Sequence, residues 1–434
     1  MIKALSSLTD TYKLSHYYQY PKGTQQIYSY MESRGGEYDK IVFFGLQYYL
    51  KALKEIPLFH QSSWNTALNQ LMPFPIDDWK ALNKGVLPIE ICAVPEGSVN
   101  APGDVLMTIT NTDDRYFWLP GWLETYFMKL WYPTTIASKS YAIKQILNGF
   151  YKQTSQNMHM VDYAYHNFGD RGSSSVESAL IGGMAHLTQF EGTDNFNATV
   201  MLPNYYRTNK PIGSSIPASE HSTVTSWDNE FSMYEEYLEE SKIRGYQIIA
   251  CVLDSYNIYD AVNFVTSGNM KQRIESDDYP VFVIRPDSGD PVTVINSILN
   301  IMEKNNVAYR LNSKNYKVFS KYRIIWGDGI TPKTIANILY SAQQRGYAAD
   351  NFAFGSGGDL MQNITRDTCK FAIKCSAAKV NGEWRDVYKN PITDPGKVSK
   401  RGLVTNPKMR PVYRNGELLI NDSFYDIRKR SMEK

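Results

Sequence analysis

Between Tyr246 and Gly358 the chain alternates, four times over, a short apolar run rich in β-branched residues, a polar or glycine-bearing cluster, and a stretch of helical length. The runs are 246–253 (YQIIACVL), 281–285 (VFVIR), 322–326 (YRIIW) and 352–354 (FAF). Their starts lie 35, 41 and 30 residues apart, close to the roughly 30 residues of a βαβ unit. A parallel sheet with helices outside it is therefore expected. In a parallel α/β barrel the loops after the strands open on one face, and the last two commonly hold a phosphate. The clusters Asp254-Ser255, Arg285-Pro-Asp287-Ser-Gly289, Gly327-Asp328-Gly329 and Gly355-Ser-Gly357-Gly358 would then share one mouth.

The earlier part is written differently. Residues 89–111 hold two β-rich runs separated by Pro-Glu-Gly and Pro-Gly-Asp turn signals, as in a hairpin or small antiparallel sheet. The run IVFFGLQYYLKAL starts like a strand and continues with helical spacing, and 116–131 and 136–152 have the length and period of two helices. The expected class is α/β: a TIM-like α/β barrel, complete or incomplete, over 151–379. A second, α+β domain is expected from the N-terminal segment 1–150, joined by the C-terminal segment 380–434.

At 434 residues and 43% apolar the chain has an ordinary globular composition, which excludes a disordered or fibrous protein. Forty-six Lys and Arg against 44 Asp and Glu leave a formal charge of +2. No bulk field then argues for nucleic acid or an anionic membrane, and any anion site must be local. No apolar stretch approaches the roughly 18 residues that a membrane span needs. The start, MIKALSSLTD, is too short in apolar residues for a secretory signal. A cytoplasmic protein is expected. The four cysteines contain no C-x-x-C pair and the six histidines no H-E-x-x-H, so reduced thiols and no structural transition metal are expected.

FAFGSGGDL reads as strand, glycines and helix start, an arrangement that offers unhindered backbone N–H groups to an anion. It lacks the Lys-Ser/Thr of a P-loop, and a tight turn is its bland alternative. With Gly327-Asp328-Gly329 as neighbour, a phosphorylated small molecule is the leading reading. In RPDSGDP, Arg285 suits a phosphate or carboxylate and Asp287 could accept from sugar hydroxyls. The strand-end carboxylates Asp254 and Asp328 suit Mg²⁺ held through water and substrate phosphates, or equally helix capping. Phe168 beside Arg171 in NFGDRGSSS could stack a planar heterocycle. His221 in SIPASEHST is, on its own residues, either a catalyst or an ordinary hydrogen-bonded histidine.

Taken together and in order, TDTYKLSHYYQYP, NFGDRGSSS, FEGTD, SIPASEHST, LDSYNIYDA, VIRPDSGDP, WGDG, FAFGSGGDLMQNITRD and FAIKCS closely resemble the nicotinamide phosphoribosyltransferase family over almost the whole chain. The resemblance implies synthesis of nicotinamide mononucleotide and pyrophosphate from nicotinamide and phosphoribosyl pyrophosphate with Mg²⁺. It also implies a homodimer with shared active sites. Phe168 resembles the ring under nicotinamide and Tyr12, from the other subunit, the ring above it. Asp194 resembles the acceptor of the carboxamide NH₂, with Asp10 and Arg171 nearby. Arg285 matches a substrate and phosphate contact, and Asp287 resembles the ribose-binding carboxylate. Gly327, Asp328, Gly357 and Gly358 surround the ribose phosphate in this reading. Arg34, Arg366 and Lys374 match positions that meet the pyrophosphate, with Lys400 as an assistant or a solvated surface residue; direct Mg²⁺ ligands are not assigned. His221 corresponds to a histidine phosphorylated by ATP, and Asp254 to the carboxylate that orients its ring. Asn167 and Asp170 depart from the family pattern, and GGEYDK after Arg34 looks like a trimmed loop.

The implied reaction is attack of the pyridine nitrogen on the anomeric carbon as pyrophosphate leaves, which asks for orientation and charge neutralisation and no protein nucleophile. Rival expectations are a nicotinate phosphoribosyltransferase, against which Asp194 argues, a barrel lyase or isomerase acting on a sugar phosphate, and a non-catalytic binder of nucleotide metabolites.

Overall fold

The computed structural model describes residues 4–394 and 397–433, and they fall into two compact units. One contains the chain up to Ser138, Met201–Lys210 and the segment from Ile364 on; the other contains Lys139–Val200 and Pro211–Asn363. These limits differ from the sequence-based ones in three places. Residues 139–150 belong to the second unit, and 201–210 and 364–379 to the first. The last of these shifts has a plain cause: Phe371–Val380 lies antiparallel to Thr24–Ser33, from Ser33 opposite Phe371 to Thr24 opposite Val380.

The first unit is built on a seven-stranded sheet. Its order is Glu383–Asp386, Phe371–Val380, Thr24–Ser33, Val105–Asn111, Ile89–Ala93, Arg410–Arg414 and Glu417–Leu418. Ile89, Ile91 and Ala93 are buried while Glu90 and Cys92 are half-buried, the two-residue alternation of a strand covered on one face. The two runs expected at 89–111 do pair antiparallel, with Ile89 opposite Asn111. The helices expected over 116–131 and 136–152 are Leu119–Met128 and Trp131–Thr154. Pro133 falls in the first turn of the latter, where a missing N–H is tolerated, so the helix begins earlier than its periodicity suggested.

The second unit carries a five-stranded parallel sheet in the order Tyr165–Asn167, Phe352–Ser356, Tyr322–Trp326, Val281–Arg285 and Ile248–Val252. All four apolar runs of the sequence are strands here. The loops that follow three of them end in local helix caps: Asn257 accepts from the N–H of Tyr259, Asp290 from that of Thr293, and Thr331 from that of Thr334. Pro291 and Pro332 occupy first helical positions. Each cap halts the strand's extended backbone and turns it into a helix, which keeps the strand-end loops short. These five strands do not by themselves close into a barrel; their edges are Tyr165–Asn167 and Ile248–Val252. Isolated parallel bridges join Asn167 to Thr193, Gly192 to Ser214, and Ala218 to Ala250.

All four cysteines are free thiols. Among the described residues no helix is long and apolar enough to cross a membrane.

Candidate active site

A cavity of about 1210 Å³ opens in the second unit at the carboxyl ends of its strands. Its walls include Phe168, Arg171, Asp194, His221, Arg285, Asp287, Gly327, Asp328, Gly357 and Gly358, ten of the candidates from the sequence. Phe168 follows the strand Tyr165–Asn167, and its N–H donates to the Ser356 carbonyl at 2.9 Å. Its ring sits where only glycine permits: a Cβ on Gly355 would come within 1.9 Å of Phe168 Cε2. The Arg285 guanidinium lies 5.6 Å from the ring centroid, within cation–π range. A flat aromatic floor with a cation beside it suits a planar ligand next to an anion.

Asp194 is held on one oxygen by the Ser215 hydroxyl, and its N–H donates to the Asn167 carbonyl at 2.9 Å. Asn167 is fully buried; its Oδ1 accepts from the Gly169 N–H at 2.8 Å. A neutral amide fits this enclosed position, where a carboxylate would place a charge out of water.

Asp254 does not line the cavity but organises it. Its Oδ1 lies 3.1 Å from His221 Nε2, and its Oδ2 accepts from the Asp287 N–H at 3.0 Å and the Ser288 hydroxyl at 2.6 Å. The carboxylate is 5% exposed and the imidazole 49%, so a buried group holds an accessible one. The contact at Nε2 sets the orientation of the His221 ring. Asp287 also pairs with Arg285 at 3.3 Å. Burial raises the Asp287 carboxyl above the ordinary carboxylate value; Asp254 and Asp328 add to the rise, and Arg285 and His221 oppose it. Among the described residues no cluster of three or more His, Cys, Asp or Glu could cage a metal.

The other candidates belong to the first unit. Arg34, Arg366 and Lys374 line a cavity of about 540 Å³. Lys370, Lys389 and Lys397 line it too, against Glu124, Asp367 and Asp394. Burial lowers the Lys374 ammonium; Glu124 opposes that shift, while Arg34, Lys389 and Lys13 add to it. Arg34 is held by Glu32 at 2.8 Å, and Lys400 pairs with the same carboxylate. Asp10 accepts from the Thr125 hydroxyl at 2.7 Å, while Tyr12 is 61% exposed.

Sequence reasoning missed Ser215 and Ser288, whose roles depend on the carboxylates they meet, and Lys370, Lys389 and Lys397. The basic stretch from Lys389 to Arg401 carried a signal for the last two, diluted by charged neighbours.

Strand-end glycine turns, an aromatic floor and paired carboxylates at one mouth suit a phosphorylated ligand with a planar ring, and the family matches make the enzyme a phosphoribosyltransferase, of the pentosyltransferase class. Residues 163–417 match the Nicotinate phosphoribosyltransferase (NAPRTase) family, and residues 4–71 match the Nicotinamide phosphoribosyltransferase, N-terminal domain. A nicotinamide phosphoribosyltransferase of Xanthomonas campestris is 45% identical over 92% of this chain and 86% of its own length. One of Acinetobacter baylyi is 30% identical over 97% and 95%. The chain belongs to the nicotinamide phosphoribosyltransferase family. The fold is shared with the nicotinate-nucleotide pyrophosphorylase of Pyrococcus furiosus, at TM-score 0.61 and 13% identity over 99% of this chain and 95% of that one. It is shared also with human nicotinic acid phosphoribosyltransferase, at TM-score 0.60 and 14% identity over 98% and 92%.

Proposed function

We propose that this chain joins nicotinamide to phosphoribosyl pyrophosphate, giving nicotinamide mononucleotide and pyrophosphate in NAD salvage, and that the cavity of the second unit is where it does so. The observation that carries the reading is the convergence of Phe168, Asp194, Arg285, Asp287 and the Gly327 and Gly357-Gly358 turns on that one cavity.

In this reading Phe168 supports the pyridine ring and Asp194 accepts from the carboxamide NH₂. The Ser215 hydroxyl occupies one Asp194 oxygen, which leaves the other for the ligand. Nicotinate has no amide donor and would set a second carboxylate against Asp194. Asp287 accepts from ribose hydroxyls, and the glycine turns present N–H groups to the 5-phosphate. With the ribose held and the ring nitrogen aimed at the anomeric carbon, orientation alone can supply roughly 7–11 kcal/mol of the barrier. Tyr12, Asp10, Arg34, Arg366, Lys374 and Lys400 act in a homodimer with shared sites, the cations on the departing pyrophosphate.

Mg²⁺ is taken to enter with the pyrophosphate, a hard cation that keeps much of its water and needs few protein ligands; Asp287 and Asp328 are the cavity carboxylates suited to it. When bound, it neutralises charge on the leaving group. His221 is the proposed phosphoacceptor for ATP, supported by its accessible ring and the Asp254 bond. The isolated bridges of 191–194 and 214–218 support a barrel completed between the two edge strands. A cytoplasmic setting fits the soluble substrates.

The test is incubation of the protein with phosphoribosyl pyrophosphate and Mg²⁺, with nicotinamide or nicotinate, with and without ATP, and chromatography of the mononucleotides. Nicotinamide mononucleotide alone is expected, raised by ATP. Nicotinate mononucleotide alone would overturn the role of Asp194, and no product would overturn the reading.

A further inference from the structure

We propose that Lys139 is a positioning residue for the ribose-phosphate turn, holding the turn's carboxylate, Asp359, charge-compensated where an anion must bind. The proposal rests on the assignment of Gly357-Gly358 to the 5-phosphate. Asp359 immediately follows these glycines and forms part of the cavity wall. A negative side chain is a poor neighbour for a phosphate, since like charges a few ångströms apart in a partly desolvated site repel strongly. The structure answers this with a lysine from the helix Trp131–Thr154. Lys139 Nζ lies 2.7 Å from Asp359 Oδ2 and donates to the Asp359 carbonyl at 2.6 Å. Asn363 Nδ2 donates to Oδ1 at 2.9 Å.

The lysine side chain is 3% exposed and the aspartate 20%, so the cation is spent inside the protein while the carboxylate borders the cavity. A buried ion pair is a weak way to stabilise a fold, because an apolar pair of similar volume often serves as well or better. Its position is the informative part. By gripping side chain and carbonyl of one residue, Lys139 fixes the backbone that carries the glycine N–H groups and cancels the one negative charge the turn brings with it. It touches no substrate in this arrangement.

The experiment compares wild type, Lys139→Met and Lys139→Met/Asp359→Asn as full chains. It measures calorimetric binding of phosphoribosyl pyrophosphate and ribose 5-phosphate, KM for both substrates, and melting temperature. Lys139→Met is expected to weaken both phosphate ligands by at least about tenfold, leaving the KM for nicotinamide in place. The added Asp359→Asn should recover the part of the loss caused by the repelling carboxylate, leaving only the part due to the missing bond to the Asp359 carbonyl. Unchanged phosphate binding in the single variant, or a double variant as weak as the single one, would overturn the proposal. If the single variant does not fold, the double variant, which carries no unpaired charge at this position, decides by its own affinity. Wild type that binds neither phosphate would instead overturn the assignment of the turn, and this inference with it.

Discussion

Gly355 and Phe168 are packed so closely that the missing side chain of one is the space occupied by the ring of the other: a Cβ at Gly355 would lie 1.9 Å from Phe168 Cε2. Gly355→Ala should therefore push the ring out of place, at the roughly 1–3 kcal/mol typical of overpacking. Steady-state kinetics should show the KM for nicotinamide raised by about tenfold or more, with the KM for phosphoribosyl pyrophosphate much less affected. An unaltered nicotinamide KM would mean that Phe168 is not the ring's support.

Selectivity between amide and acid should follow Asp194. Asp194→Ala is expected to reduce the preference for nicotinamide over nicotinate by about a hundredfold or more in kcat/KM, the scale at which a lost polar contact is felt. Ser215→Ala should lower it less, since the carboxylate remains but loses its fixed orientation.

Asp254 serves two neighbours with two oxygens, so its removal and that of His221 should differ. His221→Ala is expected to abolish ATP stimulation while basal transfer persists. Asp254→Ala should abolish the stimulation and also raise the KM for phosphoribosyl pyrophosphate, because the Asp287 N–H and the Ser288 hydroxyl lose their acceptor. Equal effects on both quantities in the two variants would contradict this division.

Asp287 must be ionised to accept from ribose. Burial raises its pKa, so kcat/KM for phosphoribosyl pyrophosphate should rise with pH along an acid limb placed above the ordinary carboxylate range. Asp328→Asn removes a negative neighbour and should move that limb to lower pH. A pH–rate profile of each protein checks the direction.

Glu96 tests the first unit. It is 2% exposed and accepts from the N–H groups of Gly45 and Gln47 at 2.9 and 2.5 Å and the Tyr206 hydroxyl at 2.9 Å, yet burial pushes its carboxyl up to about 7. Because the folded value lies above the unfolded one, the folded state binds the extra proton. Its contribution to stability is complete below the unfolded value near 4.5 and is lost as pH rises through 7. Across that interval wild type should lose up to about 3 kcal/mol relative to Glu96→Gln, measured by urea unfolding at several pH values.

The strands of the second unit and their glycine and carboxylate ends could be read from residue order, because apolar runs, caps at Asp290 and Thr331, and prolines at first helical positions are local signals. Asp287, Gly327 and Gly357 stand at such strand ends, and Phe168 lies beside Arg171 in NFGDRGSSS, so each is legible in residue order. Asp254 is legible as well, but its link to Ser288 is not, since a hydrogen-bond partner is chosen by two loops meeting. The limits of the units eluded the sequence for the same reason. Nothing local distinguishes Phe371–Val380 as the neighbour of Thr24–Ser33.

Residue order by itself determined the alternation of strands and helices, the chemistry at each strand end and the family to which the chain belongs. Only the tertiary structure decided that Lys139 compensates Asp359, that Ser215 holds Asp194, that Gly355 makes room for Phe168, and that Lys389 and Lys397 share a cavity with Arg34 and Lys374. Backbone propensity acts over a few neighbouring residues. Charge compensation and steric fit act over a few ångströms, and it is the packing of distant segments that brings those ångströms about.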